Sequence, residues 1–357
     1  MLNLRLMDLG ERRIVEELLA PRYQLKGAKY FGNDCAFVQL DQESNDVDLV
    51  ATTDPCPEPM ASMLGFGDQY FRGWLLATIN LSDLAASGAT PRGLLTSLIL
   101  PQETSVSDLT RLLDGIDDCC EKCSTKVLGG NLKEGPKIDL SATAIGTCKR
   151  GQMVTRTGSK PRDLVVVLGD LGLFWAGVLA RKKQISLQSK EEELLLKNVL
   201  TPMPKVSVSQ ALANRRTLNA CIDNSDGLYP SFLQLANANG LRFEIDFSDV
   251  HILPEVRNVA RHLGIDEVRL FVGWGDWQLI GTVEKSKLHD LQLIADDFQI
   301  PLHVVGSVVP GTGVFLRHGQ DFGRMIPLDS ERFTGESWFT TGIETYISSL
   351  LSLPLTS

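Results

Sequence analysis

The segment Thr78–Pro101, TINLSDLAASGATPRGLLTSLILP, constrains this chain more than any other. Asn80 and Asp83 stand three residues apart, so they share one face of a helix. A polar pair on a helix normally faces water, yet the neighbours here are small: Ala77, Ser82, Ala85, Ala86, Ser87, Gly88 and Ala89. Small side chains let another backbone or a ligand approach closely. Pro91 stops the helix, and Leu94–Leu100 is an apolar run of strand length. The reading is a packed helix, a tight turn and a buried strand. Asp83 is then a carboxylate that needs a partner, and a metal ion is one candidate.

The rest of the chain bounds the setting. At 357 residues it is too long for one ordinary core and suits two domains. A net charge of −9 argues against nucleic acid as the main partner. No apolar run approaches the roughly 20 residues needed to span a bilayer. The charged N-terminus (Arg5, Asp8, Glu11, Arg12, Arg13) lacks the apolar core of a signal peptide. The expectation is a cytoplasmic protein without a membrane partner. Among seven cysteines, Cys119, Cys120 and Cys123 invite a metal or redox reading. With Leu109, Leu112, Leu113 and Ile116 they form one apolar helical stripe instead, and a free cysteine packs as a small hydrophobe.

Taken in order, Leu9–Leu19 reads as a short amphipathic helix. Asp34–Leu40 and Asp48–Thr53 read as strands joined by the polar loop Asp41–Asp46. A helix near Asp68–Ser87, a strand at Gly93–Leu100, a helix at Val106–Cys123, a strand at Lys126–Leu128 and a strand at Asp139–Cys148 complete an α+β first half. The basic, turn-rich stretch KRGQMVTRTGSKPR (149–162) marks a junction. Two domains follow from it, 1–150 and 151–357. The second opens with strand Asp163–Leu168, the turn Gly169–Gly172 and a helix from Phe174, an order that can hold phosphate. Ser189–Asn198 reads as a solvent-facing helix. Strands at Asn219–Asp223, Leu241–Ile245, Trp277–Val283 and Leu302–Val309 alternate with helices Gly227–Asn239 and Lys285–Phe298. Beyond Gly311 the tail reads as irregular.

No GxxxxGK[ST] loop and no G-x-S-x-G elbow is present. What the chain offers is acids at strand ends and turns: Asp34 in GNDCA, Asp54 in TTDP, Asp83 in NLSD and Asp226 in IDNSDG. Carboxylates and phosphate oxygens are the ligands Mg2+ prefers, and Mg2+ on a triphosphate is what phosphoryl transfer requires.

Seven motifs stand in order: GNDCA (32–36), TTD (52–54), NLSD (80–83), GGNL (129–132), TRTGSKPRD (155–163), DNSDGL (223–228) and GWGDWQL (273–279). This series resembles that of thiamine-monophosphate kinases, which carry GDDAA, [ST]TD, NLSD, GGDT, TRSGAKPGD, D-x-SDGL and GGEDYEL. Those kinases belong to the ATP-binding superfamily of aminoimidazole ribonucleotide synthetase and selenophosphate synthetase. The resemblance implies a two-domain α/β (α+β) fold of that kind, a homodimer pairing its N-terminal sheets, and ATP bound in the cleft. It implies transfer of the γ-phosphoryl group of ATP to a small phosphate acceptor, thiamine monophosphate, with Mg2+. Matched residue by residue, Asp34, Asp54, Asp83 and Asp226 become metal ligands, and Asp226 with Ser225 the catalytic turn. Asn80, Gly129, Gly130, Asn131 and Arg156 become nucleotide contacts. Trp338, with Phe339, becomes an aromatic contact for the acceptor. The departures are Asn33 and Asn131 for Asp, Leu132 for Thr, Gly275 for Glu, and Trp277 and Gln278 for Tyr and Glu. They suggest a metal site with fewer charges. They leave open a divergent paralogue that uses another acceptor, or one that only binds nucleotide.

Overall fold

The computed structural model describes residues 5–25, 32–39, 46–326, 328, 332–334 and 337–357. Strands β1 (Ala36–Gln39), β2 (Val47–Pro55), β3 (Thr90–Leu100), β4 (Val127–Glu134) and β5 (Asp139–Lys149) form one sheet in the order β1-β2-β5-β3-β4. Only the β3/β4 pair is parallel, as the crossover through helix Val106–Lys122 requires. The second sheet takes β6 (Leu164–Leu168), β7 (Leu218–Asp223), β8 (Leu241–Asp246), β9 (Leu279–Val283), β10 (Leu302–Pro310), β11 (Gly313–His318) and β12 (Asp321–Arg324). Its order is β12-β11-β8-β10-β6-β9-β7. β6 is buried along nearly its whole length (LVVVL), as a central strand covered on both faces must be.

Helix Gln69–Ala86 is buried over two thirds of its length, between the two sheets. This is why it is apolar and small nearly all round. Asp68 caps it, accepting from the Tyr70 N–H at 2.9 Å. It crosses helix Val106–Lys122 through Gly73 and Gly115, where an added Cβ would lie 1.9 Å from Leu112 O and 2.0 Å from Tyr70 O respectively. Against the second half it makes Trp74 Nε1–H to Pro202 O (2.8 Å), Thr78 Oγ1–H to Pro202 O (3.0 Å) and Ser82 Oγ–H to Asp223 Oδ2 (2.7 Å). Cys119, Cys120 and Cys123 sit in the core it shares, as the apolar stripe implies; only Leu113 of that stripe is exposed.

Several elements differ from the sequence reading. The N-terminal helical stretch runs 11–24, with a wider π turn over Ile14–Leu19. Helices Val206–Arg215 and Pro254–Leu263 are additional. The stretch beyond Gly311 is not irregular: β11 pairs with β8 in parallel, burying Val314 and Leu316, and Ile343–Ser352 forms a helix that buries Tyr346, Ile347 and Leu350. Two short strands and a helix this close to the end become stable by joining an existing core rather than by propensity. The loop residues 41–45 lie outside the described residues. No helix among the described residues is long and apolar enough to cross a membrane.

Candidate active site

Strand ends and one helix converge where the two sheets face each other. β2 ends in Thr52–Asp54, helix Gln69–Ala86 supplies Asp83, β7 ends at Asp223, and the turn before β1 supplies Asp34. One oxygen from each of Asp34, Asp83 and Asp223 lies within 4.8 Å of the others. Thr52 Oγ1 donates to Asp83 Oδ2 at 2.6 Å, and Ser225 Oγ donates to Asp223 Oδ1 at 3.1 Å. Asp54 and Asp83 are hydrogen-bonded to each other, which needs a proton on one of them. Burial pushes Asp83 well up, and the charges of Asp223, Asp54 and Asp34 add to it. Burial, then the charge of Asp34, pushes Asp223 up to about 7. Burial likewise raises Asp54. Crowded carboxylates that resist ionisation are the donor set a hard divalent cation suits: all ligands are oxygen, and the cation removes the repulsion.

Arg156 borders this cluster. Its Nη2 and Nε donate to the two oxygens of Asp34 at 2.7 and 3.2 Å, and its Nη1 donates to Gly32 O and Gln234 Oε1. Its backbone N–H donates to Asn33 Oδ1 at 3.0 Å. The linker is thus tied to the turn before β1 and to helix Leu228–Asn239. All of this opens on one cavity of about 1020 Å3. Asp34, Asp54, Asp83, Asp223, Asp226, Ser225 and Arg156 line its polar part, while Met60, Phe71, Leu75, Phe174, Trp274 and Trp277 line an apolar part.

The residues singled out from the sequence divide accordingly. Asp34, Asp54, Asp83, Asp226, Ser225 and Arg156 share the cavity, with Asp226 exposed. Asn80 is fully buried beneath it: its Oδ1 accepts from the Asp54 N–H at 3.1 Å, and its amide donates to Leu76 O at 2.9 Å. It fixes the end of β2 rather than facing the cavity. Gly129, Gly130 and Asn131 are exposed on β4, at the opposite sheet edge. Asn131 pairs with Ser97, Ser97 with Ser141, and Ser141 with Pro55. Three strand spacings, roughly 14 Å, separate it from the end of β2, and within one chain it does not join the carboxylates. Trp338 opens the short helix Trp338–Thr341, and its side chain and that of Phe339 lie outside the described residues. The turn Gly169–Gly172 does not offer a free anion site, because the Asp276 carboxylate accepts from the Gly172 N–H. Burial pushes Asp276 up to about 6, countered by Lys205 nearby.

Asp223 and Thr52 are the site residues that the sequence reading passed over. Asp223 ends a strand just as Asp54 does, and that shared signal was available.

Known proteins fit this arrangement. The model of the AIR synthase related protein N-terminal domain matches residues 32–148, and that of the C-terminal domain matches residues 160–319. The thiamine-monophosphate kinase of Aquifex aeolicus (strain VF5) is 29% identical over 320 residues, covering 88% of this chain and 96% of that protein. That of Escherichia coli (strain K12) is 27% identical over 300 residues, covering 81% and 87%. The solved structure titled AaThiL complexed with AMPPCP and TMP superposes with a TM-score of 0.75 at 26% identity, over 90% of this chain and 98% of that one. The hydrogenase maturation protein HypE in complex with ATP, 17% identical with a TM-score of 0.60, shares the fold. With both domains matched in order and a two-sheet architecture in common, the chain belongs to the AIR synthase related family and is a relative of the thiamine-monophosphate kinases within it.

Proposed function

We propose that this protein is an ATP- and Mg2+-dependent phosphotransferase that passes the γ-phosphoryl group of ATP to thiamine monophosphate. The observation that carries the reading is a single cavity with a carboxylate cluster and an apolar, aromatic wall. The family relationship and a relative solved with AMPPCP and TMP support it. Asp34, Asp83 and Asp223, with Asp54 beside them and Asp226 at the rim, would hold Mg2+. Bound there, the ion would neutralise phosphate charge during transfer. The acceptor's phosphate oxygen is already ionised, so no side chain has to act as a strong base. Rate then comes from positioning and charge compensation. Arg156 keeps one Nη2–H beyond its bonds to Asp34, Gly32 and Gln234 and could offer it to a phosphate oxygen, while Asp34 holds the guanidinium in place. Ser225 orients Asp223.

The alternative, a paralogue that binds nucleotide for another acceptor or without turnover, draws on Asn33, Asn131 and Gly275. Asn33 faces the linker amide of Arg156, Asn131 lies on β4, and Gly275 turns at φ +88 against Phe174. None of the three belongs to the carboxylate triad, which favours the kinase.

A homodimer is part of this reading. The helix-free face of the five-stranded sheet presents Ala51, Thr53, Leu95, Ile99, Thr143 and Ile145, a largely uncharged patch bordered by Lys133 and Asp139 and suited to a second copy. Gly129, Gly130 and Asn131 would then serve a nucleotide only by way of such an interface. A cytoplasmic setting belongs to the reading as well. The test is ADP release with and without thiamine monophosphate, at saturating Mg2+ and after its removal by a chelator. ADP release that depends on both supports the proposal, and a rate indifferent to thiamine monophosphate overturns it.

A further inference from the structure

The apolar part of the cavity has a feature of this chain's own. The turn Gly273–Trp277 places Trp274 where the related kinases carry glycine, with Trp277 two strand-entry residues before β9. Both polar backbone atoms of Trp274 are engaged: its N–H donates to Tyr346 Oη at 3.1 Å, and its carbonyl accepts from Trp175 Nε1 at 2.8 Å. Gly273 has to lack a side chain, since a Cβ there would lie 2.2 Å from Trp175 Nε1. The Gly275 N–H donates to Ser225 O, and the Trp277 N–H to Asn224 O. The turn is therefore stitched directly to the loop that carries Asp223, Ser225 and Asp226. Trp277 adopts φ +45, a left-handed conformation uncommon for a bulky residue and kept only where the surroundings enforce it.

Three rings meet here, two on the turn and Phe174 on helix Leu173–Lys182. Phe174 stands 5.9 Å from Trp274 and 6.1 Å from Trp277, centroid to centroid. Phe174 and Trp277 are buried, while Trp274 keeps part of its surface open, and all three line the cavity. A fixed, partly exposed indole that lines the same cavity as the carboxylate cluster is a surface on which a flat ring can rest. We infer that Trp274, backed by Phe174 and Trp277, is the stacking subsite for the flat heteroaromatic ring of a phosphorylated substrate. Stacking on a held aromatic tolerates small differences in ring chemistry and adds affinity without a hydrogen bond. The inference rests on the phosphotransferase reading for what lies at the polar end. Two rings meet the description, that of the acceptor and the adenine of the nucleotide.

Titration of the intact protein with thiamine and with adenosine, neither of which carries phosphate, separates the two. Indole fluorescence and calorimetry read binding, and wild type, Trp274→Leu and Trp274→Phe are compared. The Mg2+-induced rise in melting temperature, which reads the carboxylates alone, checks that each variant keeps a folded cleft. The expected result is that one of the two rings quenches wild type and binds Trp274→Leu roughly 10- to 100-fold more weakly, with Trp274→Phe between them. Loss confined to thiamine assigns the subsite to the acceptor, and loss confined to adenosine assigns it to the base. Equal binding of a ring by wild type and by folded Trp274→Leu overturns the subsite and leaves the kinase reading standing. Absence of binding by both rings to wild type also overturns it, while Mg2+-dependent ADP release reports on the kinase reading separately.

Discussion

In the cavity, Asp34, Asp83 and Asp223 crowd together with Arg156 paired to Asp34, and Asp83 and Asp223 resist ionisation. On its apolar wall, Phe174, Trp175 and Tyr346 from two helices pack ring against ring around Trp274, on a turn whose backbone groups are hydrogen-bonded. In the proposed reading, the first arrangement costs the free protein stability and would regain it when a cation binds. The second is complete before any ligand binds. Repulsion held in reserve would give a site that responds to metal, whereas a packed aromatic wall gives a site whose shape is fixed.

The comparison breaks most visibly at the carboxylates. Asp223→Asn should lower the transfer rate by about 10³-fold while leaving the free protein's melting temperature unchanged or higher, since a like charge is removed. Rates and thermal melts on the same preparation check this, and a variant with a near-normal rate would remove Asp223 from the site. Arg156→Ala comes next. It should cost about 10²-fold in rate and, by leaving Asp34 unpaired, roughly 2 kcal/mol of stability after allowance for partial exposure. Arg156→Lys should not restore the rate, because an ammonium cannot make the two-pronged contact; full recovery in that variant would reduce Arg156 to a simple charge.

The aromatic end should behave in the reverse sense. Gly273→Ala drives a methyl into the Trp175 indole and should cost about 2 kcal/mol in urea unfolding, with Mg2+ affinity unaffected. A neutral result would show that the turn yields, and the wall would no longer be preformed. The smallest effect belongs to Ser225→Ala. It removes one hydrogen bond to Asp223, worth about 1 kcal/mol, so the rate should fall several-fold; abolition would give Ser225 a direct part in transfer.

Much of this was legible in the sequence, for identifiable reasons. Helix Gln69–Ala86 declared itself through small residues that make sense only if both faces are packed, and β6 through an unbroken apolar run. Asp34, Asp54 and Asp83 stood at strand ends and on that helix, and their convergence came from motif order, not from spacing. Asp223 escaped because Asp226, three residues on, held attention in DNSDGL, although only Asp223 ends β7. Asn131 could not be placed because strand order decides which edge β4 occupies, and the β5 insertion between β2 and β3 is a tertiary choice. The tail beyond Gly311 reads as irregular when alone, since β11 gains its partner only from β8. Trp274 passed unnoticed because an aromatic at a turn looks like core until the neighbouring cavity is seen.

The central claim is that the carboxylate cluster is a metal site whose repulsion the cation relieves, and thermal unfolding with and without Mg2+ at pH 6 and pH 8 tests it most directly. Asp83, Asp54 and Asp223 have raised folded-state values, so the folded protein holds protons that the unfolded chain, titrating near 4, has released. Their proton-linked stabilisation is complete below about pH 4 and is lost as pH rises through about 7, the value for Asp223. From these groups, the metal-free protein should melt lower at pH 8 than at pH 6. Added Mg2+ should raise the melting temperature at both values and more at pH 8, where the ligands are deprotonated, and Asp223→Asn should shrink that difference. A melting temperature that Mg2+ leaves unmoved at pH 8 would contradict the account.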